Sequence, residues 1–281
     1  MTSTDLLHVR SLLFAPGSDE RKLAKALASE ADAVVCDLED AVATAEKRSA
    51  RRLVARILST VETRSARMVR VNGADTEFFH EDLAALAALD LDAIVLPKAA
   101  PDAVAELGET GAPVVAIVET AAGLRLAYET AASARVAALV LGAADLGAEL
   151  GLEPRPDGLE IVFARSKVVV DSAAARVRAP FDIVHLDVRD DEGLEAEARL
   201  ARSLGFRGKA CIHPAQVGIV NRVFTPSAEE IDWARGVVAA YEEGVREGRG
   251  AVALAGAMID LPVVERARNV LAHAKRSADG H

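Results

Sequence analysis

Short β-branched runs alternate with longer Ala-, Glu- and Arg-rich stretches along the whole chain, and that alternation predicts an α/β fold of parallel strand–helix units. Two further observations narrow it. Eight such runs occur, and the 281 residues suit a closed barrel, which needs roughly 250. No GxGxxG turn follows the first run, which disfavours the competing open, doubly wound sheet. The predicted fold is a (β/α)8 TIM barrel in residues 1–225, with a C-terminal helical extension over 226–281.

In chain order, the strands are read as RSLLFAP (10–16), AVVCDLED (33–40), RMVRVN (67–72), DAIVLPK (92–98), PVVAIVE (113–119), AALVLGA (137–143), DIVHLD (182–187) and KACIHP (209–214). Each is a short apolar run bounded by turn or charged residues. Segments such as DERKLAKALASEA, AEKRSARRLVARILSTV and EGLEAEARLARSLG carry the helical period between them. The longest irregular stretch, GLEPRPDG (151–158), follows the sixth strand and is expected over the barrel mouth. Beyond the eighth strand the pattern gives a helix near 227–247, a Gly/Ala-rich stretch over 248–262 and a helix near 263–276, more than a barrel needs for closure. The first residues and the last five read as frayed ends.

Half the residues are apolar but only 4% are aromatic, so the core must rest on Ala, Val, Leu and Ile. A net charge of −10 disfavours nucleic acid and anionic membrane surfaces as partners. Cys36 and Cys211 each sit in an apolar run and read as inert buried thiols rather than a disulfide or zinc pair. With no signal-peptide pattern and no apolar run near the ~20 residues of a membrane span, the expectation is a soluble, cytoplasmic protein.

Two carboxylates end neighbouring apolar runs: Glu119 closes PVVAIVET and Asp145 closes AALVLGAAD. A buried strand does not normally end in an unpaired charge, whose burial costs more than apolar burial gains. As parallel neighbours the two would emerge side by side at the C-terminal edge of the sheet, an oxygen pair suited to a magnesium ion. On the third strand, alternation puts Met68, Arg70 and Asn72 on one face. A strand arginine in a barrel needs an anionic partner, so Arg70 either joins a core salt bridge to Glu39 or Asp40 or binds a substrate carboxylate. The second strand ends in Asp37, Glu39 and Asp40; these either orient Arg70 and metal waters or, for Asp40, cap a helix starting in AVATAEK. Lys98 ends the fourth strand as a candidate carboxylate holder, and His213 before Pro214 is a weaker acid/base candidate. A phosphate-binding P-loop and a nucleophile elbow are absent, so covalent catalysis is not indicated.

The segments RSLLFAPGSDERKLAKAL, DAVVCDLEDAVATAEKRSAR, VRVNG, VLPKA, IVETAAGL, GAADLGAELG, HLDVRDDEGLEAEARLARSLGFRGKACIHPAQV and GAMIDLPVVERA, in this order, resemble the citrate lyase β-subunit-like branch of the HpcH/HpaI aldolase superfamily. The resemblance implies a (β/α)8 barrel, Mg2+ on Glu119 and Asp145, Arg70 on the substrate carboxylate, and Asp260 supplied across a subunit interface as acid/base. It implies a homo-oligomer, a trimer or a multiple of one, acting on an acyl-CoA thioester and a small 2-oxo or 2-hydroxy acid. The activity expected is magnesium-dependent cleavage or formation of a carbon–carbon bond in a 2-hydroxyacyl-CoA such as malyl-CoA or citramalyl-CoA. The alternatives are a malyl-CoA-type thioesterase and a citrate lyase β subunit acting on an acyl-carrier thioester. Arg10, Arg21 and Lys22 are the candidates for the CoA phosphates. One departure is local: many relatives carry an acidic residue just before the metal aspartate, where this chain has Ala144.

Overall fold

The computed structural model describes residues 6–108, 111–254 and 256–279. The chain divides into two compact units, Met1–Phe224 and Thr225–His281. Of the ends read as frayed, residues 1–5, 280 and 281 lie outside the described residues, while 277–279 continue the last helix.

In the first unit the elements run β1 (Ser11–Pro16), α1 (Glu20–Leu27), β2 (Ala33–Asp37), α2 (Lys47–Thr60), β3 (Ala66–Arg70), α3 (Phe79–Leu86), β4 (Ala93–Leu96) and α4 (Pro101–Glu106). They continue with β5 (Val114–Val118), α5 (Ala121–Arg125), α6 (Ala127–Ala131), β6 (Val136–Leu141), α7 (Ala143–Leu150), α8 (Val162–Ala174), β7 (Arg178–Asp182), α9 (Asp191–Leu204), β8 (Gly208–Cys211) and α10 (Pro214–Phe224). The eight strands pair in sequence order, all parallel, and β8 closes on β1 through Ser11–Lys209 and Leu13–Cys211. This is the (β/α)8 barrel that the alternation predicts.

The pleat splits the core into two layers. Leu12, Val35, Met68, Val95, Ile117, Val140 and Phe181 fill the lumen, whereas Leu13, Cys36, Val69, Ile94, Leu139 and Cys211 face the helices. The few aromatics are used as fillers: Phe79 and Phe206 lie under helices and Phe181 inside the barrel. Cys36 and Cys211 are free and buried, and burial pushes both thiols up to about 12.

The seventh strand is not DIVHLD. It occupies Arg178–Asp182, and residues 183–187 form a loop at the mouth, with Leu186 exposed. Phe181 fills the lumen, and Asp182 turns outward between Arg165 and Lys209, at 2.8 and 2.9 Å. Those two anchors fix the register earlier than the apolar run suggests. Asn72 also departs from its expected face. β3 ends at Arg70, and the Asn72 amide nitrogen donates to Asp82 of α3 at 2.6 Å, within the helix layer.

The second unit contains α11 (Ala228–Arg246), which starts in a Ser227/Glu230 capping box, then an antiparallel hairpin of β9 (Val252–Leu254) and β10 (Ala257–Ile259), then α12 (Leu261–Asp279). Ala234, Val237, Ile259, Val264 and Ala267 form its core. The Gly/Ala-rich stretch is therefore partly a hairpin rather than irregular chain. No described helix is long and apolar enough to cross a membrane.

Candidate active site

Parallel strands aim their C-terminal ends at one rim, and there a cavity of about 460 Å³ is lined by Phe14, Asp37, Asp40, Arg70, Glu119 and Asp145, among others. The structure thus brings Arg70, Asp40, Glu119 and Asp145 into one space. Glu119 directly follows β5 and is buried; its Oε1 accepts the Lys98 backbone N–H at 2.7 Å. Lys98 reaches this position with φ of 47°, an uncommon conformation for a side chain bearing Cβ, so its backbone rather than its ammonium group holds Glu119. The ammonium lies 4.0 Å from Glu39.

Asp145 sits in the first turn of α7, exposed, where the helix N-terminus favours a carboxylate. Gly142 separates it from β6. A Cβ there would stand 2.5 Å from Glu119 Cβ and 2.7 Å from its Oε2, so the chain leaves this space to the glutamate. Burial pushes the Glu119 carboxyl up to about 7; the Lys98 amide and Arg70 oppose the shift, and the Asp145 charge adds to it.

Arg70 is held on all sides. Its Nε and Nη2 donate to the two oxygens of Asp37, each at 2.7 Å; Nη1 lies 2.8 Å from Glu39 and 3.4 Å from Asp40, and the guanidinium stacks 5.3 Å from the Phe14 ring centre. Burial opposes its charge, but the surrounding carboxylates outweigh that and hold Arg70 above its ordinary range. Asp37, not Glu39 or Asp40, is the main partner. Asp37 also accepts the N–H groups of Glu39 and Ala41, so it shapes the acidic turn. AVATAEK does not start a helix at Asp40: a 3-10 turn spans Thr44–Glu46 and α2 begins at Lys47. Burial pushes the Glu39 carboxyl up to about 8, with Arg70 opposing and Asp40, Glu119 and Asp37 adding to it.

Three supporting residues escape a reading of strand ends. Lys47 donates to the carbonyls of Leu38 and Glu39 at 2.8 and 2.7 Å, which pins the acidic turn. Arg51 and Asp82 pair at 2.6 Å beneath the exit of β3. Only the basic residues early in α2, lying just after an acidic strand end, hint at this in the sequence.

Arg10 does not reach this rim. It precedes β1, at the other end of the strand, buried and paired with Asp32 at 2.8 Å. Arg21 and Lys22 instead line a groove with Lys25 and His213, and that groove shares Phe14, Ala15, Pro16 and Ile212 with the central cavity. His213 accepts the Ala215 N–H at 3.2 Å and so caps α10. In the second unit Asp260 caps α12: its Oδ1 accepts the Val263 N–H at 3.3 Å.

The donor set fits magnesium. Among the described residues no three His, Cys, Asp or Glu side chains gather as a cage, but magnesium takes one or two carboxylates and keeps water and substrate oxygens for its other positions. A buried carboxylate facing a second one, with a cradle kept open beside it, is an electrostatic arrangement that a cation relieves.

A parallel barrel with paired carboxylates and an arginine at its strand ends defines a class of metal-assisted barrel enzymes. The chain belongs to the HpcH/HpaI aldolase/citrate lyase family, whose model matches residues 10–214. It is 43% identical to a (3S)-malyl-CoA thioesterase of Cereibacter sphaeroides (strain KD131 / KCTC 12085) over 274 residues, covering 96% of this chain and 95% of that protein. It is 38% identical to the citrate lyase subunit beta of Leuconostoc mesenteroides subsp. cremoris over 278 residues, covering 93% and 92%. The structure matches that of CitE from Mycobacterium tuberculosis in complex with magnesium, acetoacetate and coenzyme A, with a TM-score of 0.83, 38% identity, and coverage of 95% of this chain and 98% of that one.

Proposed function

We propose that this protein is a magnesium-dependent carbon–carbon lyase that cleaves, or in reverse forms, the CoA thioester of a 2-hydroxy diacid such as malyl-CoA or citramalyl-CoA, in which the hydroxyl lies α to the free carboxylate and β to the thioester. The observation that carries this reading is the single cavity lined by Arg70, Glu119 and Asp145 and continuous with a groove bearing Arg21, Lys22 and Lys25. One end suits a chelating acid, the other the phosphates of CoA. Glu119 and Asp145 would hold the magnesium ion, which when bound would supply Lewis acidity toward the 2-oxygen of the acid. Arg70, oriented by Asp37 and Glu39, binds the acid's carboxylate and offsets charge developing beside it. Asp40, exposed and lining the cavity, takes the hydroxyl proton. The C–C bond then breaks, its electron pair passing to the thioester as an enolate, and the other fragment leaves as a 2-oxo acid. Asp260, contributed by a neighbouring chain of a homotrimer, protonates the enolate carbon; in reverse it removes that proton.

The test is an assay of malyl-CoA, citramalyl-CoA and related CoA thioesters of 2-hydroxy diacids, with and without a chelator. Glyoxylate or pyruvate with an acyl-CoA, formed only with magnesium, is the expected product set; no cleavage, or cleavage indifferent to magnesium, ends the proposal. The likeness to a malyl-CoA thioesterase favours a second reading, hydrolysis at the same site, and free malate or citramalate would identify it. A citrate lyase β role would instead show citryl-thioester cleavage only with a carrier protein present.

A further inference from the structure

A second cavity, about 840 Å³, opens beside the first between α7, the 151–158 loop, α8, α9 and the loop after β7. The two share Ala143, Ala144, Val184 and Leu186 as lining, so no large side chain of α7 stands between them. The new cavity's walls are apolar or small: Gly147 and Ala148 on one side, Leu152, Ile161, Ile183 and Leu200 on the others. Its ionisable groups are mostly acidic, Asp157, Glu160, Asp187, Asp190 and Glu197; His185 lies 3.1 Å from Glu197 and 3.6 Å from Asp190, and the two arginines are paired. Arg155 forks onto Asp157, with both bonds at 2.9 Å, and Arg165 is bound to Asp182 and Glu197. An anionic occupant would face five carboxylates there, while the arginines and His185 already stand against carboxylates, which disfavours CoA phosphates and a second substrate carboxylate.

We infer that this cavity receives an uncharged hydrocarbon substituent on the 2-oxo (or 2-hydroxy) acid, so that the site also accepts aliphatic 2-oxo acids longer than pyruvate and binds them more tightly. The inference rests on the binding mode of the proposed function. With the acid's carboxylate on Arg70 at β3 and its 2-oxygen between Glu119 and Asp145, the remaining substituent has the β6–β7 side open to it. The thioester occupies the opposite groove, at β8–β1. The volume is ample: a propyl group needs only a small part of it, and each buried CH2 is worth about 0.8 kcal/mol. Such a gain per carbon distinguishes the pocket from a passive opening.

The test is calorimetric titration of the full-length protein, in magnesium, with pyruvate, 2-oxobutanoate, 2-oxopentanoate and 2-oxoglutarate. The expected order is a stepwise gain from pyruvate to 2-oxopentanoate of about tenfold or more, two CH2 groups at the constant above. 2-Oxoglutarate, of the same chain length but charged at its end, should bind more weakly than 2-oxopentanoate. Gly147→Leu and, separately, Ala196→Leu fill the cavity from residues outside the metal pocket. A Cβ at Gly147 meets nothing within 4 Å, so a side chain has room to leave the backbone there. Both variants should lose the chain-length gain and keep pyruvate affinity. Equal or falling affinity with chain length, preference for 2-oxoglutarate, no binding of any of these acids, or variants that weaken all of them alike would overturn the inference. The chain-length gain together with no carbon–carbon cleavage of any thioester would support the pocket and end the lyase reading instead.

Discussion

At the scale of single residues, the site is governed by carboxylates that burial makes reluctant to ionise. With Glu119 as a ligand, as proposed, magnesium binding requires its carboxylate to be ionised, and burial pushes that carboxyl up to about 7. Metal binding near pH 6 is therefore expected to release close to one proton, and near pH 9 almost none. Calorimetry in buffers of different ionisation enthalpy reads this directly, and Glu119→Gln should abolish both the binding and the release. In the metal-free protein the sign for stability is the reverse of the usual acid case. A folded value raised above the unfolded one means stability is lost as pH rises from about 4.5 to about 7, and magnesium should flatten that fall. Arg70→Lys is expected to cut turnover by a factor on the order of 100 or more, because a point charge reproduces neither the fork onto Asp37 nor a planar contact to substrate. Steady-state rates against unchanged thermal unfolding would separate this from misfolding.

At the scale of elements, most of the barrel is legible because each strand carries its own apolar run and its own polar stop. The seventh fails for a physical reason. DIVHLD looks like a strand locally, but Asp182 finds its partners 17 and 27 residues away, and no local pattern reports them. The choice of Asp37 over Glu39 and Asp40 as the partner of Arg70 likewise depends on two strands meeting in register, Asp37 opposite Arg70. The hairpin Val252–Ile259 is hidden by three-residue strands too short to show alternation. The placement of Glu119 and Arg70 at one rim is readable, since parallel strands ending in charges can aim nowhere else, and Asp145 joins them from the first turn of α7 after β6. Arg10 lies away from the rim because it precedes its strand, and preceding residues sit at the opposite end. An element-level prediction follows from the β6–α7 turn: Gly142→Ala should displace Glu119. Magnesium affinity is expected to fall about 10- to 100-fold, as for lost support of a metal ligand, with about 1–3 kcal/mol lost in urea unfolding from overpacking.

At the scale of the whole molecule, the barrel is locked across β7 and β8 by a buried charge cluster. Burial opposes the charge of Asp182, but Lys209 and Arg165 outweigh it and hold the carboxyl below its usual range. Its stabilising share is present at neutral pH and is lost only as pH falls below the unfolded carboxylate value. Asp182→Asn leaves two cations short of a partner and is expected to cost about 3 kcal/mol in urea unfolding, with little change in turnover per folded molecule. Assembly is tested through Asp260. As a mere cap of α12, Asp260→Asn would cost little, since asparagine caps about as well. In a shared site the same change should lower turnover by orders of magnitude, and mixing it with Glu119→Gln chains should restore part of the activity. No recovery in verified mixed oligomers would leave Asp260 as a cap alone.

The fork of Arg70 onto Asp37 also sets an order of events. With Asp37, Glu39 and Asp40 already around the guanidinium, and Glu119 and Asp145 facing them, carboxylates outnumber the cations Arg70 and Lys98 at the mouth. A free 2-oxo acid arriving there meets a repelling field, which a divalent ion reverses. On the proposed function the expected order of entry is ion before acid, and at limiting magnesium the acid should look like a poor ligand however well its shape fits.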